Sequence, residues 1–173
     1  GLKVVIPSNP SDAKGLLIEA IRDDDPVIFL EHKMMYDEMG EVSDQPFTVP
    51  FGEARVLREG PDATIFAYGR MVGQAEKAAQ TLQSEGIRIS IVDPRTTSPL
   101  DVDTILEFAE ETGRIVIADE ASPRCGMAAD ISSIIAEEAF GALQAPIIKV
   151  TPPHTPVPYA PSLEAAYLPD AAH

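Results

Sequence analysis

Basic residues are scarce in this sequence: 13 Lys and Arg stand against 28 Asp and Glu in 173 residues, a formal net charge of −15. That deficit argues against nucleic acid and anionic membrane as partners and favours solubility and basic protein partners; the plainer reading is an acidic solvated surface. Cysteine is nearly missing. The single Cys125 rules out an internal disulfide and fits a reducing, cytoplasmic setting. No apolar run reaches the roughly 20 residues of a membrane span, and no signal-like segment is visible at the start. There are no internal repeats and no Cys/His cluster with zinc spacing. The chain opens directly on a strand at Gly1-Leu2-Lys3-Val4-Val5-Ile6, which reads as a fragment or as a chain without its first part.

A hydrophobic fraction of 45% remains, enough for a real core. Val4 to Leu30 reads as strand, helix, strand, with Ser11 as the expected helix cap and Leu16, Leu17, Ala20 and Ile21 on the apolar face. Glu31 to Pro50 is a long polar stretch, expected to be an interdomain linker or docking loop. From Phe51 the pattern becomes regular. Strands are expected near 54–57, 64–68, 87–92, 115–118 and 147–150, with helices at 71–85, 100–112 and 128–140 between the later ones. Gly86 and Gly113 sit where helices end. Such alternation predicts an α/β fold with a doubly wound, mainly parallel sheet. The proline-rich tail from Thr151 predicts an extended segment over a surface, with Tyr159 and Tyr167 offering contact area.

The stretch Asp93-Pro94-Arg95-Thr96-Thr97-Ser98-Pro99-Leu100-Asp101 carries the most information. It follows a strand, and its Ser98 and Pro99 suit a helix start. Polar residues just past strand carboxyl ends are where parallel sheets place ligands or partners. Asp119-Glu120 repeats that grammar. Asp93, Asp119 and Glu120 are expected to converge at one sheet edge, where they line a site, cap helices or anchor loops at a subunit contact.

Other constellations are weaker. Gly69-Arg70-Met71-Val72-Gly73 follows a strand and opens a helix, but the G-x-G-x-x-G fingerprint is absent, and Met71 is bulky where phosphate needs glycine. Neither Ser90 nor Ser98 lies in G-x-S-x-G. Arg124 beside Cys125 favours thiolate, yet His32, His154 and His173 are remote in sequence, so a structural thiol is the better reading. Arg22-Asp23-Asp24-Asp25 puts carboxylates at a helix C-terminus, which suits either a hard cation or a solvated cap before Pro26.

Several blocks together resemble one family. They are Leu2–Ser8 with Asp12–Leu17, Ile21–Glu31, Asp93–Asp101, Asp119–Gly126 and Thr155–Tyr159. The whole chain resembles the C-terminal part of the beta subunit of the first, thiamine-diphosphate-dependent component of 2-oxo acid dehydrogenase complexes. Gly40–Val42, Pro50–Ala54 and Pro153–Pro156 look most like the acetoin dehydrogenase branch, with pyruvate and branched-chain relatives as alternatives.

The resemblance implies that residues 1–46 are the end of a pyrimidine-binding domain plus linker. It implies that 47–173 are a transketolase C-terminal-like domain whose usual last helix is cut short after His173. It places the family's cofactor-activating glutamate and active-site histidine upstream of Gly1. Hence no catalytic or cofactor-binding residue is expected here, and the isolated chain is expected to be inactive. Thiamine diphosphate and Mg are implied for the intact bacterial oxidoreductase only. A structural potassium site is implied at Ala20, Asp23 and Asp25, with Ala20 and Asp25 giving backbone carbonyls. The implied partners are an alpha subunit and a second beta subunit in a heterotetramer, and the docking domain of a lipoyl acyltransferase core. A stand-alone acidic interaction module and a small nucleotide-binding enzyme are the readings from other classes.

Overall fold

A computed structural model describes residues 1–172. The first strand, β1 (Lys3–Val5), leads into helix α1 (Pro10–Arg22) and then β2 (Val27–Phe29), which lies parallel to β1. Asn9, not Ser11, caps α1: its side chain accepts the Asp12 N–H, and Pro10 takes the first helical position, where no donor is needed. Residues 31–50 contain only a short 3₁₀ turn at Lys33–Met35.

The remaining strands are β3 (Arg55–Pro61), β4 (Ala63–Ala67), β5 (Ile89–Asp93), β6 (Thr96–Ser98), β7 (Ile115–Ala118) and β8 (Ile148–Val150). The helices are α2 (Arg70–Ser84), α3 (Val102–Thr112), α4 (Met127–Glu138) and α5 (Pro161–Tyr167). Five strands form the main sheet in the order β3-β5-β4-β7-β8. All its pairings are parallel except β3 with β5, so the expected doubly wound sheet has an antiparallel edge strand.

Alternation along the strands fixes three layers. Phe66, Val92, Ile115 and Ile117 point to one face, where Ile105, Phe108, Ile131 and Ile135 of α3 and α4 cover them. Ile65, Ala67, Ile89 and Ile91 point the other way and meet Met71, Val72, Ala75 and Ala79 of α2. Burying each of the large side chains fully is worth about 1.5–3 kcal/mol. Gly60 is required where β3 crosses β5: an added Cβ would lie 2.5 Å from the Arg88 carbonyl carbon, and backbone cannot yield as a side chain does.

Two expectations change. Ser98 does not start a helix. It belongs to β6, which pairs antiparallel with β1, and its hydroxyl donates to the Leu2 carbonyl at 3.0 Å. The cap of α3 falls three residues later, on Asp101, whose Oδ1 accepts the Thr104 N–H at 3.1 Å. The tail is not wholly extended either: Pro161 starts α5, because proline suits a first helical turn as well as an extended strand. Through β6, the sheet β2-β1-β6 draws its third strand from residues 96–98, well after β1 and β2 in the chain. His173 lies outside the described residues.

Candidate functional site

The carboxyl ends of β5, β4 and β7 lie side by side in the main sheet, and polar residues follow each of them. At the end of β5, Asp93 is fully buried. Its Oδ1 accepts the Arg95 N–H at 2.9 Å and its Oδ2 accepts the Ser8 hydroxyl. Loss of hydration is the largest influence on it and raises the carboxyl to about 6; the Ser8 and Arg95 donors pull the other way.

Arg95 adopts the left-handed conformation, φ +59°. That turn sends its Nη2 to Asp12 Oδ1 at 3.2 Å, while Arg55 approaches the other Asp12 oxygen at 3.6 Å. Asp12, in the first turn of α1, is buried. The ion pairs therefore join α1 to the β5–β6 turn and to β3.

At the end of β4 stands Tyr68, also buried. Its hydroxyl has no hydrogen-bond partner among the described residues. Desolvation and then Asp93, Asp119 and Asp130 all raise its phenol, so Tyr68 is neutral at any physiological pH. Asp119 follows β7. Its Oδ1 accepts the Ala121 N–H at 2.9 Å, and its buried Oδ2 has no partner among the described residues.

Glu120 is shared by Arg70 and His32. Arg70, at the start of α2, holds Oε1; His32 Nε2 lies 2.8 Å from Oε2. The Met34 N–H donates to His32 Nδ1 at 3.3 Å. With Nδ1 accepting, the proton sits on Nε2 and is donated to Glu120.

Asp93 and Glu120 anchor loops within the chain, to Ser8 and His32, and not at a subunit contact. Neither caps a helix. Their partners Ser8 and His32 lie 85 and 88 residues away in sequence, and no local pattern could have announced them.

Ala20 lies in the last turn of α1, Asp23 is its C-cap, and Asp25 follows just beyond. Lys3 occupies the carboxylates there: its Nζ lies 2.8 and 2.6 Å from the two Asp23 oxygens and 3.3 Å from Asp25. The hydrogen bond to Lys3 is the main influence lowering the Asp23 carboxyl. The side-chain oxygens thus already hold a cation, and a metal ion would have to rely on main-chain carbonyls. No group of three or more His, Cys, Asp or Glu poised to hold a metal occurs among the described residues.

Cys125 is exposed, with φ +55°. Nearby, Ser122 Oγ lies 2.9 Å from His154 Nδ1. No carboxylate orients that imidazole in any ion pair of the described residues, so no hydrolytic triad is built. On α3, Asp103, Glu107, Glu110 and Glu111 are exposed. With Glu59 of β3 they frame a shallow acidic groove around Leu106, and none of them forms an ion pair among the described residues.

A five-stranded, mainly parallel sheet covered by helices on both faces defines an α/β domain. Residues 52–173 match the family model for the transketolase C-terminal domain, and the chain belongs to that family. It is 60% identical, over 99% of its length, to the beta subunit of acetoin:2,6-dichlorophenolindophenol oxidoreductase from Cupriavidus necator, covering 51% of that protein. Against the Bacillus subtilis subunit of the same name the identity is 52%, covering 98% of this chain and 49% of the relative. Against the Bacillus subtilis pyruvate dehydrogenase E1 component subunit beta it is 47%, covering 98% and 52%. The chain thus spans about half the length of these relatives. Among solved structures, a split-gene transketolase described as an inactive beta4 tetramer superposes with a TM-score of 0.79 at 29% identity. That match covers 99% of this chain and 54% of the other.

Proposed function

We propose that the chain is the C-terminal portion of the beta subunit of a thiamine-diphosphate-dependent acetoin dehydrogenase, serving subunit assembly and docking to a lipoyl acyltransferase core. The observation that carries this reading is the identity of 60% over 172 residues to the acetoin-oxidising relative. A pyruvate dehydrogenase is the second reading, supported by the 47% identity to an E1 subunit. The cofactor, when bound, supplies addition to the substrate carbonyl and stabilisation of the carbanion. The chain's own contribution is to support the domain that precedes the main sheet.

Assembly with an alpha subunit and a second beta subunit is supported by exposed apolar side chains: Leu17 and Ile21 on α1, Ile28 on β2, and Tyr159 and Val157 in the tail. Rejoined to the upstream half of the Cupriavidus necator subunit, the chain is expected to co-purify with that enzyme's alpha subunit as a heterotetramer. Failure of a folded fusion to associate would count against the assembly role.

Docking to a basic domain is supported by the unpaired acidic groove on α3. Several exposed charges together steer association and make it salt-sensitive. Titration of the docking domain onto the assembled enzyme should give an affinity that falls as sodium chloride rises from 50 to 300 mM, on the order of tenfold. An affinity independent of salt removes the electrostatic reading.

We also place a monovalent cation at the C-terminus of α1, bound through the main-chain carbonyls of Ala20 and Asp25. The Ala20 carbonyl lies in the last turn of α1, at the negative dipole end, and Asp25 lies just past that helix, while Lys3 keeps the Asp23 carboxylate. The assembled enzyme should then melt at a higher temperature in potassium chloride than in tetramethylammonium chloride of equal ionic strength. Identical melting would dispose of this site.

A further inference from the structure

The order β3-β5-β4-β7-β8 contains a topological switch point. From β4 the chain runs through α2 to β5 on one side. From β5 it returns through α3 to β7 on the other side of β4. Open α/β sheets take their ligands in the crevice outside the strand carboxyl ends at such a point. Here the crevice lies between the ends of β4 and β7, with β5 beside it.

Residues of the N-terminal unit already fill it, with at least one contact at each strand end. Past β5, Ser8 donates its hydroxyl to Asp93, and the Ile6 N–H donates to the Arg95 carbonyl at 2.7 Å. Past β4, Ile6 packs so closely on Gly69 that an added Cβ would lie 3.3 Å from Ile6 Cγ2; Gly69, at φ +48°, is suited to glycine on both counts. Past β7, His32 donates to Glu120, which Arg70 holds from the other side. The occupant is therefore known, and it is the chain itself.

We propose that the switch-point crevice of the C-terminal domain has become the receptor for the chain's own preceding unit, so that this domain binds a neighbouring domain where related sheet architectures bind a small ligand. Asp93, Gly69 and Glu120 form the receiving side. Ile6, Ser8 and His32 form the inserted side. Asp93 and Glu120 are then positioning residues: they set how the first unit sits on the sheet and touch no substrate. This inference is independent of which acyl substrate the intact enzyme uses.

Amide hydrogen exchange on the full chain tests it. The double variant S8A/E120A removes the side-chain fastenings Ser8–Asp93 and His32–Glu120 without enlarging any side chain. A lost hydrogen bond to a charged group is worth enough for about tenfold or more faster local opening. The Ile6 and Leu30 amides, which bond to Arg95 and to Val5, should accelerate by that factor, while Ile65, Phe66 and Ile117 in the main sheet should change less than about twofold. Uniform acceleration across both regions would mean ordinary loss of global stability and would overturn the receptor reading. Unchanged exchange at Ile6 and Leu30 would overturn it as well. Should the double variant not fold, S8A alone supplies the same comparison with a smaller expected ratio. The C125S variant, altered outside the crevice, serves as control and should match the parent at all five amides.

Discussion

Replacing Arg95 by alanine is expected to destabilise the chain by about 3 kcal/mol, the cost of breaking a buried ion pair from one side. Arg95 is 16% and Asp12 7% exposed at the side chain, and 3.2 Å separates Nη2 from Oδ1. Removing the guanidinium leaves the Asp12 carboxylate in a poorly hydrated site. Arg55, at 3.6 Å, compensates only in part, because it is more exposed and touches the other oxygen. Backbone strain does not explain the loss, since alanine at φ +59° is no more comfortable than arginine. The control is the double variant R95A/D12N. With the buried charge also gone, it should recover at least half of the loss. Urea unfolding of the four proteins measures the cycle. An R95A loss below about 1 kcal/mol would show that the pair is spectator to the fold.

Asp93→Asn is expected to act in the opposite direction at neutral pH. The carboxyl of Asp93 is raised from 3.8 to about 6 in the folded chain. A raised folded value means that the protonated acid favours the fold. This contribution is fully present below pH 3.8, falls as pH rises, and is lost once pH passes about 6. Above that, the buried carboxylate costs the chain about 3 kcal/mol relative to its neutral form. Asparagine can still accept the Arg95 N–H and can donate to Ser8, without a charge to desolvate. The variant should therefore be more stable than the parent at pH 7.5, by about 1–3 kcal/mol, and should approach it at pH 4.5. The difference between the two proteins isolates this residue from the other acids of an acidic chain. A gap that stays constant from pH 4.5 to 7.5 would contradict the assignment.

Much of the architecture was legible in the residues. Period-two apolar strands, helices closed by Gly86 and Gly113, and strict alternation from Phe51 onward led to the doubly wound sheet. Its antiparallel edge strand was harder to read, because strand direction is decided by connections and not by local composition. The turn Asp93–Asp101 stood out correctly, yet its local grammar misled. Ser98-Pro99 has the chemistry of a helix start, and only pairing with β1, almost a hundred residues earlier, makes it a strand. The same distance hid the fastenings Ser8–Asp93, Asp12–Arg95 and His32–Glu120. The Asp23 cluster was visible as a concentration of oxygens. That Lys3 would neutralise it depended on β1 running alongside the end of α1.

Dye reduction by a reassembled enzyme tests the central claim most directly. The upstream half of the Cupriavidus necator beta subunit is joined to residues 1–173, assembled with the matching alpha subunit and supplied with thiamine diphosphate and magnesium. Reduction of 2,6-dichlorophenolindophenol is then followed with acetoin and, separately, with pyruvate. The account predicts cofactor-dependent turnover that is at least tenfold faster with acetoin, a difference of about 1.4 kcal/mol in the barrier. A folded, fully assembled enzyme that turns over neither substrate would contradict it, and one that prefers pyruvate would transfer the chain to the second reading.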